Sequence, residues 1–294
     1  KCQKARVLER KFYPKQLDMT LDYDFFNRVP LRVRDTDKIH LVLVGCGGNG
    51  SHMAKSIAQV CHLLLEQGRK VEATFYDPDL VEQKNIPRQD FYLPELRLNK
   101  AQVLATRWSL RLGVPITGVD KAFDAAEIHR LRSWESLVIL VGCVDNHIGR
   151  QAIAKCLNNQ TDQAPKIWWL DLGNTESAGQ VVLGSAHTVQ HLESAFNLPG
   201  HCIQLPSPAL VYPNLLEPRL EHVPNAHLSC AELAMLNAQS QGVNLQCAAI
   251  GTDYLNRMLF GKLLKFCTEF DLRTGTMQSK WITKKAVAEA VKPG

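Results

Sequence analysis

The period of the hydrophobic pattern changes along the chain and marks out its elements. In "HLVLVGCGGNGSH", residues 40–52, an apolar run breaks into four glycines and then into a helix start near Ser51. Leu41 to Val44 show no alternation, which suits a strand buried on both faces. Apolar positions then recur at helical spacing to about Glu66, and "KVEATFYD" predicts a second strand ending at Asp77. The next stretch, "DPDLVEQKNIPRQDFYLPEL", is polar and broken by proline, so it reads as a loop, and Lys100 opens a helix to about Arg111. A third strand is expected near Ile116. Beyond it, "SLVILVGCVD" is a buried strand, "NHIGRQAIAKCLNN" a helix, and "KIWWLDLG" a strand packed through Trp168 and Trp169.

Strands alternating with helices imply an α/β fold with right-handed crossovers and a mostly parallel sheet. Such sheets bind ligands beyond the carboxyl ends of their strands. Gly45 to Gly50, Asp77, Asp145 and the Asp171 region all fall at such ends and so converge on one rim. The second half differs: "SAGQVVLGS" is a strand, but residues 186–229 are rich in His, Pro and Asn and form a long excursion. Helical spacing returns from "CAELAM" through Leu264, followed by a short strand and a frayed tail. Residues 1–38 are expected to be an N-terminal arm, and 39–294 a single domain.

Composition narrows the partners. The formal charge of the 294 residues is +5, with no dense basic block, which argues against nucleic acid. No run of eighteen apolar residues suggests a membrane span, and nine cysteines without a C-x-x-C pair fit a reducing cytoplasm.

The glycine turn is an anion cradle in prospect, because the first amides of a helix are unpaired and sit at the positive end of its dipole. Such a turn serves NAD, FAD and ATP alike, so the following loop must arbitrate. Asp77 suits a ribose under either nucleotide reading. Asn85, Arg88 and Gln89 share one loop at the same rim, and Lys100 follows at a helix start. Two cations beside a phosphate cradle would neutralise a polyphosphate as a phosphorus–oxygen bond breaks. Asp145 supplies a hard oxygen ligand for magnesium. Taken singly, Asp77 and Asp145 could cap helices, and Arg88 and Lys100 could be solvated charges; their grouping favours nucleotidyl transfer.

These motifs resemble, in order and from about residue 39 to 265, the ubiquitin-activating-enzyme-like proteins of the ThiF/MoeB/HesA type. "GCGGNGS" resembles their ATP loop, "DPDLVEQKNIPRQ" their acid-x-acid and Asn-x-x-Arg-Gln segment, "VDNHIGR" their Asp-Asn-x-x-x-Arg segment, and "SAGQVVLG" the Gly-Gln strand that follows. The resemblance implies a Rossmann-like sheet with helices on both faces and a long crossover insertion. It implies that ATP adenylates the C-terminal glycine of a ubiquitin-like or sulfur-carrier protein. Gly45, Gly47, Gly48, Gly50, Asp77, Asn85 and Gln89 would bind the nucleotide, Arg88 and Lys100 would act on its phosphates, and Asp145 would hold magnesium. Cys230 lies where thiol-using relatives carry their catalytic cysteine, so a thioester there and a conjugating enzyme beyond it are further expectations, as is a homodimer. Arg28, Arg32 and Arg34 are candidates for an arginine lent across that dimer.

The chain departs from the pattern in three places. The C-x-x-C pairs that hold zinc in many relatives are absent, which predicts no structural zinc; Ile86-Pro87 stiffens the arginine loop; and residues 186–229 have no clear counterpart. Competing readings are adenylation of a small-molecule or tRNA carboxylate, an NAD-dependent oxidoreductase, which leaves Arg88 and Lys100 unexplained, and a silent scaffold.

Overall fold

The computed structural model describes residues 23–128, 136–158, 165–218 and 230–292, with the side chains of 23, 24 and 230–240 outside that description. Eight strands form one sheet in the order β3-β2-β1-β4-β5-β6-β7-β8. They are β1 Lys38–Val44, β2 Lys70–Tyr76, β3 Ile116–Val119, β4 Ser136–Gly142, β5 Ile167–Asn174, β6 Ala178–Gly184, β7 Lys265–Asp271 and β8 Thr276–Trp281. The helices that position the site are α1 Gly48–Glu66, α2 Lys100–Leu112, α3 His147–Lys155 and α4 Cys230–Leu259, with a short α5 at Lys284–Glu289.

The first five strands pair in parallel, as the crossover helices require. β1 and β4 align Val42 with Leu140 and Val44 with Gly142, so their carboxyl ends finish level. Their side chains alternate between two apolar layers. Leu41, Leu43, Ile139, Val141, Trp168 and Leu170 join the layer of α1, α2 and α4, and Val42, Val138, Leu140 and Trp169 face Ile153 and Leu157 at α3. Helices therefore cover both faces, and the unalternated sequence of these strands is the consequence.

Beyond β5 the sheet turns antiparallel. The chain reverses at Asn174–Ala178, where the Thr175 amide donates to the Ala178 carbonyl at 2.8 Å, and a reversal that short can only lay β6 antiparallel. The C-terminus is more ordered than its sequence suggested. α4 ends at Leu259 rather than Leu264, with Gly261 at φ +83° just past it, and β7, β8 and α5 follow. The apolar "LLKF" that seemed to prolong the helix runs instead into β7. α1 likewise begins at Gly48, three residues before the expected Ser51.

The excursion after β6 is built into the body as far as residue 218; residues 219–229 lie outside the described residues. Ala195, Cys202 and Leu205 are fully buried, and the Cys202 amide donates to the Pro30 carbonyl at 3.0 Å. Through this contact and the Leu31 amide on the Leu263 carbonyl, residues 29–32 of the expected arm are tied to the core.

Leu140 is completely enclosed in the α3 layer. Leu140→Ala should lower unfolding free energy by about 2–5 kcal/mol, read as a shift of the urea midpoint at unchanged slope; a negligible shift would contradict this packing.

Candidate functional site

At the carboxyl ends of β1, β2, β4 and β5 lies a cavity of about 1010 Å³. Its centre is the turn between β1 and α1. Gly45 takes φ +89°, open to glycine at little cost, and a Cβ on it would meet the Cys143 carbonyl at 2.9 Å. Gly50 sits one turn into α1 where a Cβ would lie 1.9 Å from the Gly45 carbonyl oxygen, so its bareness lets helix and turn close on each other. Gly45, Gly47 and Gly48 line the cavity and Gly50 does not. The amides that open α1 are thus presented by a turn whose shape is fixed from behind.

Asp77 braces this turn. It is 6% exposed, and its carboxylate accepts the Cys46 amide at 2.6 Å and the Asp79 amide at 2.8 Å. Burial pushes its pKa above the ordinary value, opposed by those two amides and by the Lys100 charge. Asn99 caps α2 by accepting the Gln102 amide at 3.0 Å while its own amide donates to the Asp77 and Asp79 carbonyls. That cap delivers Lys100 to the cavity, where its buried ammonium meets Asp79 at 3.0 Å.

Three predicted site residues line the cavity from the loop after β2, which also brings Glu82 and Lys84 to it. Asn85 accepts the Glu82 amide at 2.9 Å and holds the loop's own bend. Arg88 and Gln89 follow on the bend; the Arg88 guanidinium makes no hydrogen bond or ion pair among the described residues, and the buried Gln89 Oε1 lacks a partner. Arg107 of α2 fastens the far side of this loop through Asp90 at 3.2 Å and through Glu95. His52 packs beneath it, and burial holds this imidazole below its ordinary value of 6.5.

Asp145, past the end of β4, is exposed in the cavity wall beside Asn146, which caps α3 by accepting the Gly149 amide at 2.8 Å. Arg150 of α3 is buried and bonds Asp171 at 3.1 Å, tying α3 to β5 under the cavity. Cys230 opens α4, and its side chain lies outside the described residues. The described cysteines are all buried. Burial pushes the thiols of Cys61, Cys156, Cys202 and Cys247 up to about 12, and those of Cys46 and Cys143 up as well. Arg28, one of the three dimer candidates, is engaged within its own chain, stacked 3.5 Å over Phe25.

Several cavity residues escaped the sequence reading. Asp79 and Arg150 sat unassigned inside quoted motifs. Tyr76 and Phe123, in edge-to-face contact at 5.2 Å, form an apolar wall with Val144 and Ile148. Asn49, Asn174 and Asn244 arrive from α1, β5 and α4; Asn244 is 156 positions from Arg88, whose carbonyl it reaches at 3.5 Å, and no local pattern links them.

The comparisons with known proteins agree with this architecture. The ThiF family model matches residues 29–199, more than half of the chain. No curated protein sequence matches. Among solved structures the fold is similar to PaaA, at 16% identity and TM-score 0.54, covering 85% of this chain and 65% of that one. It is also similar to Escherichia coli MccB solved with AMPCPP and MccA, at 15% identity and TM-score 0.52, covering 84% and 65%. The chain thus spans just under two thirds of the length of these neighbours. Among the described residues no helix is long and apolar enough to cross a membrane.

Arg150→Ala would leave Asp171 charged and buried without its guanidinium, so stability should fall by about 3–5 kcal/mol, measured by urea unfolding. His52 has its pKa lowered by folding, so the folded state takes up fewer protons; the stability it confers is full above 6.5 and is lost as pH falls through its folded value. The urea midpoint should therefore drop on acidification below 6.5, and His52→Gln should flatten that drop; an unchanged slope would count against the buried neutral imidazole.

Proposed function

The chain belongs to the ThiF family, and from that premise we propose that it adenylates the C-terminal carboxylate of a protein or peptide with ATP. The single observation that carries this reading is the convergence of the α1 amides, Lys100 and Arg88, which has no partner among the described residues, on one cavity with an apolar wall. That set suits a triphosphate and a base. Escherichia coli MccB, similar in fold, has been solved with ATP and in complex with N-formylated MccA, which supports a nucleotide and a peptide partner here.

In this reading the adenine rests on Tyr76, Phe123, Val144 and Ile148, and the ribose hydroxyls meet Asp77, whose oxygens keep acceptor capacity beyond the two backbone amides. The phosphates lie over Gly47 and Gly48. A carboxylate oxygen of the substrate attacks the α-phosphorus, forming an acyl-adenylate; the α–β bridging bond breaks and its electron pair leaves with pyrophosphate. Arg88 and Lys100 neutralise the phosphate oxygens as charge moves onto the leaving group. Lys100 has three donors and can serve a phosphate while keeping Asp79. Asn85 and Gln89 keep the loop in place.

Magnesium fits the donors present. Among the described residues no three His, Cys, Asp or Glu converge as a metal cage, and a hydrated magnesium needs only one or two carboxylates beside phosphates, a role Asp145 would fill. When bound, the ion supplies charge neutralisation at the phosphates.

The substrate we favour is a ubiquitin-like or sulfur-carrier protein ending in glycine, with the enzyme acting as a homodimer. Cys230 then takes the acyl group: its thiolate attacks the carbonyl carbon, a thioester forms and AMP leaves. Burial and raised pKa make the other cysteines named above poor nucleophiles.

ATP–pyrophosphate exchange should appear with ubiquitin-like or sulfur-carrier proteins and disappear when their terminal glycine is deleted. Arg88→Ala and Lys100→Ala should each lower it about 10²–10³-fold, whereas Cys230→Ala should retain exchange and lose the thiol-labile acyl adduct. Full exchange in Arg88→Ala would overturn the mechanism, and exchange indifferent to the glycine would overturn the substrate.

A further inference from the structure

The cavity has two unlike flanks. Beside β2 and the loops after β3 and β4 lie the apolar wall, Asp77 and the cations. Beside β5, next to Arg150 and Glu176, the wall carries three amides that bond one another in a single direction. Asn49 Nδ2 donates to the Leu172 carbonyl at 3.0 Å and to Asn174 Oδ1 at 3.1 Å. Asn174 Nδ2 donates to Asn244 Oδ1 at 3.1 Å, and Asn244 Nδ2 approaches the Arg88 carbonyl at 3.5 Å.

The orientation of this chain is fixed by its first member. The Leu172 carbonyl can only accept, so Asn49 must present its NH₂ to β5 and its oxygen the other way. That oxygen, Asn49 Oδ1, is buried and has no hydrogen-bond partner among the described residues, on a residue 4% exposed that lines the cavity. A buried carbonyl left unpaired costs on the order of 1–3 kcal/mol, so it is a site waiting for a donor. Nucleotide donors are poorly placed to supply it, because the base wall and the ribose acid lie on the opposite flank. A neutral donor attached to the reacting carboxylate would be well placed.

We propose that Asn49 Oδ1 accepts the backbone N–H of the residue that carries the substrate's C-terminal carboxylate, and that this bond makes Asn49 a specificity residue for peptide-linked acyl groups. The inference rests on the adenylation reading of the cavity. Asn174 holds Asn49 in register by accepting its amide at Oδ1, and the donors of Asn174 and Asn244 join the acyl flank to the loop that bears Arg88.

The test uses stable mimics of the acyl-adenylate on the full chain: 5′-O-sulfamoyladenosine, its N-acetylglycyl derivative, and the same derivative with a methyl on the glycyl nitrogen. In the wild-type protein the N-acetylglycyl compound should bind about tenfold more tightly than its N-methyl counterpart by calorimetry. In Asn49→Ala, whose folding is checked by its thermal transition, the two should bind alike. Equal binding of the two compounds to the wild type, or a preference that survives in Asn49→Ala, overturns the proposal. The wild-type comparison stands even if the variant does not fold. Failure of 5′-O-sulfamoyladenosine itself to bind would reject the adenylation reading, and this inference with it.

Discussion

A buried carboxylate organises this protein's rim. Asp77 follows β2 and receives an amide from the turn after β1 and another from the loop it opens, while its carbonyl is held by the residue that caps α2. Three segments that the chain order separates are thereby locked at one point. Hydrogen bonds to a carboxylate are roughly twice as strong as those between neutral groups, which offsets the cost of burying it. Gly45 and Gly50 let the turn fit against this acid and against α1, and Lys100 is delivered by the cap that Asn99 makes.

From that lock the division of the cavity follows. Lys84, Arg88, Lys100 and the aromatic surface gather toward β2, and the three bonded amides gather beside β5. The two halves meet at the opening of α1, where the helix amides face a cavity that Arg88 enters with no partner among the described residues. Arg150 and Asp171 close the floor and keep α3, with Asp145 ahead of it, in register with β5. In the adenylation we propose, the two reactants would meet from different sides, and the sheet order β2-β1-β4-β5 sets the two flanks apart.

The parallel half of this fold was legible because its strands are buried on both faces, and unalternated runs such as "LVLV" and "SLVIL" have few other homes. Nine of the eleven predicted site residues line the cavity, since strand ends and the loop after β2 fix their position with little help from the rest of the chain. Gly50, from the same motif as Gly47, does not line the cavity: a glycine spacing does not say which member faces the cavity and which faces the turn behind it. In the antiparallel half β6 was legible, but the start of β7 was hidden, because Leu263 and Leu264, which lead into it, continue the helix pattern and only Gly261 breaks it. Asn49, Asn174 and Asn244 were invisible for another reason. Their meeting is a tertiary event among three residues that are individually ordinary.

The most direct test of the central claim, that this rim is an ATP site, is the melting temperature of the protein with ATP and magnesium and, in parallel, with NADH. A ligand that binds only the folded state at a hundred times its dissociation constant adds about 2.7 kcal/mol of stability. The account predicts a rise with ATP that Arg88→Ala diminishes, and none with NADH; a rise with NADH alone would contradict it and return the glycine turn to redox chemistry.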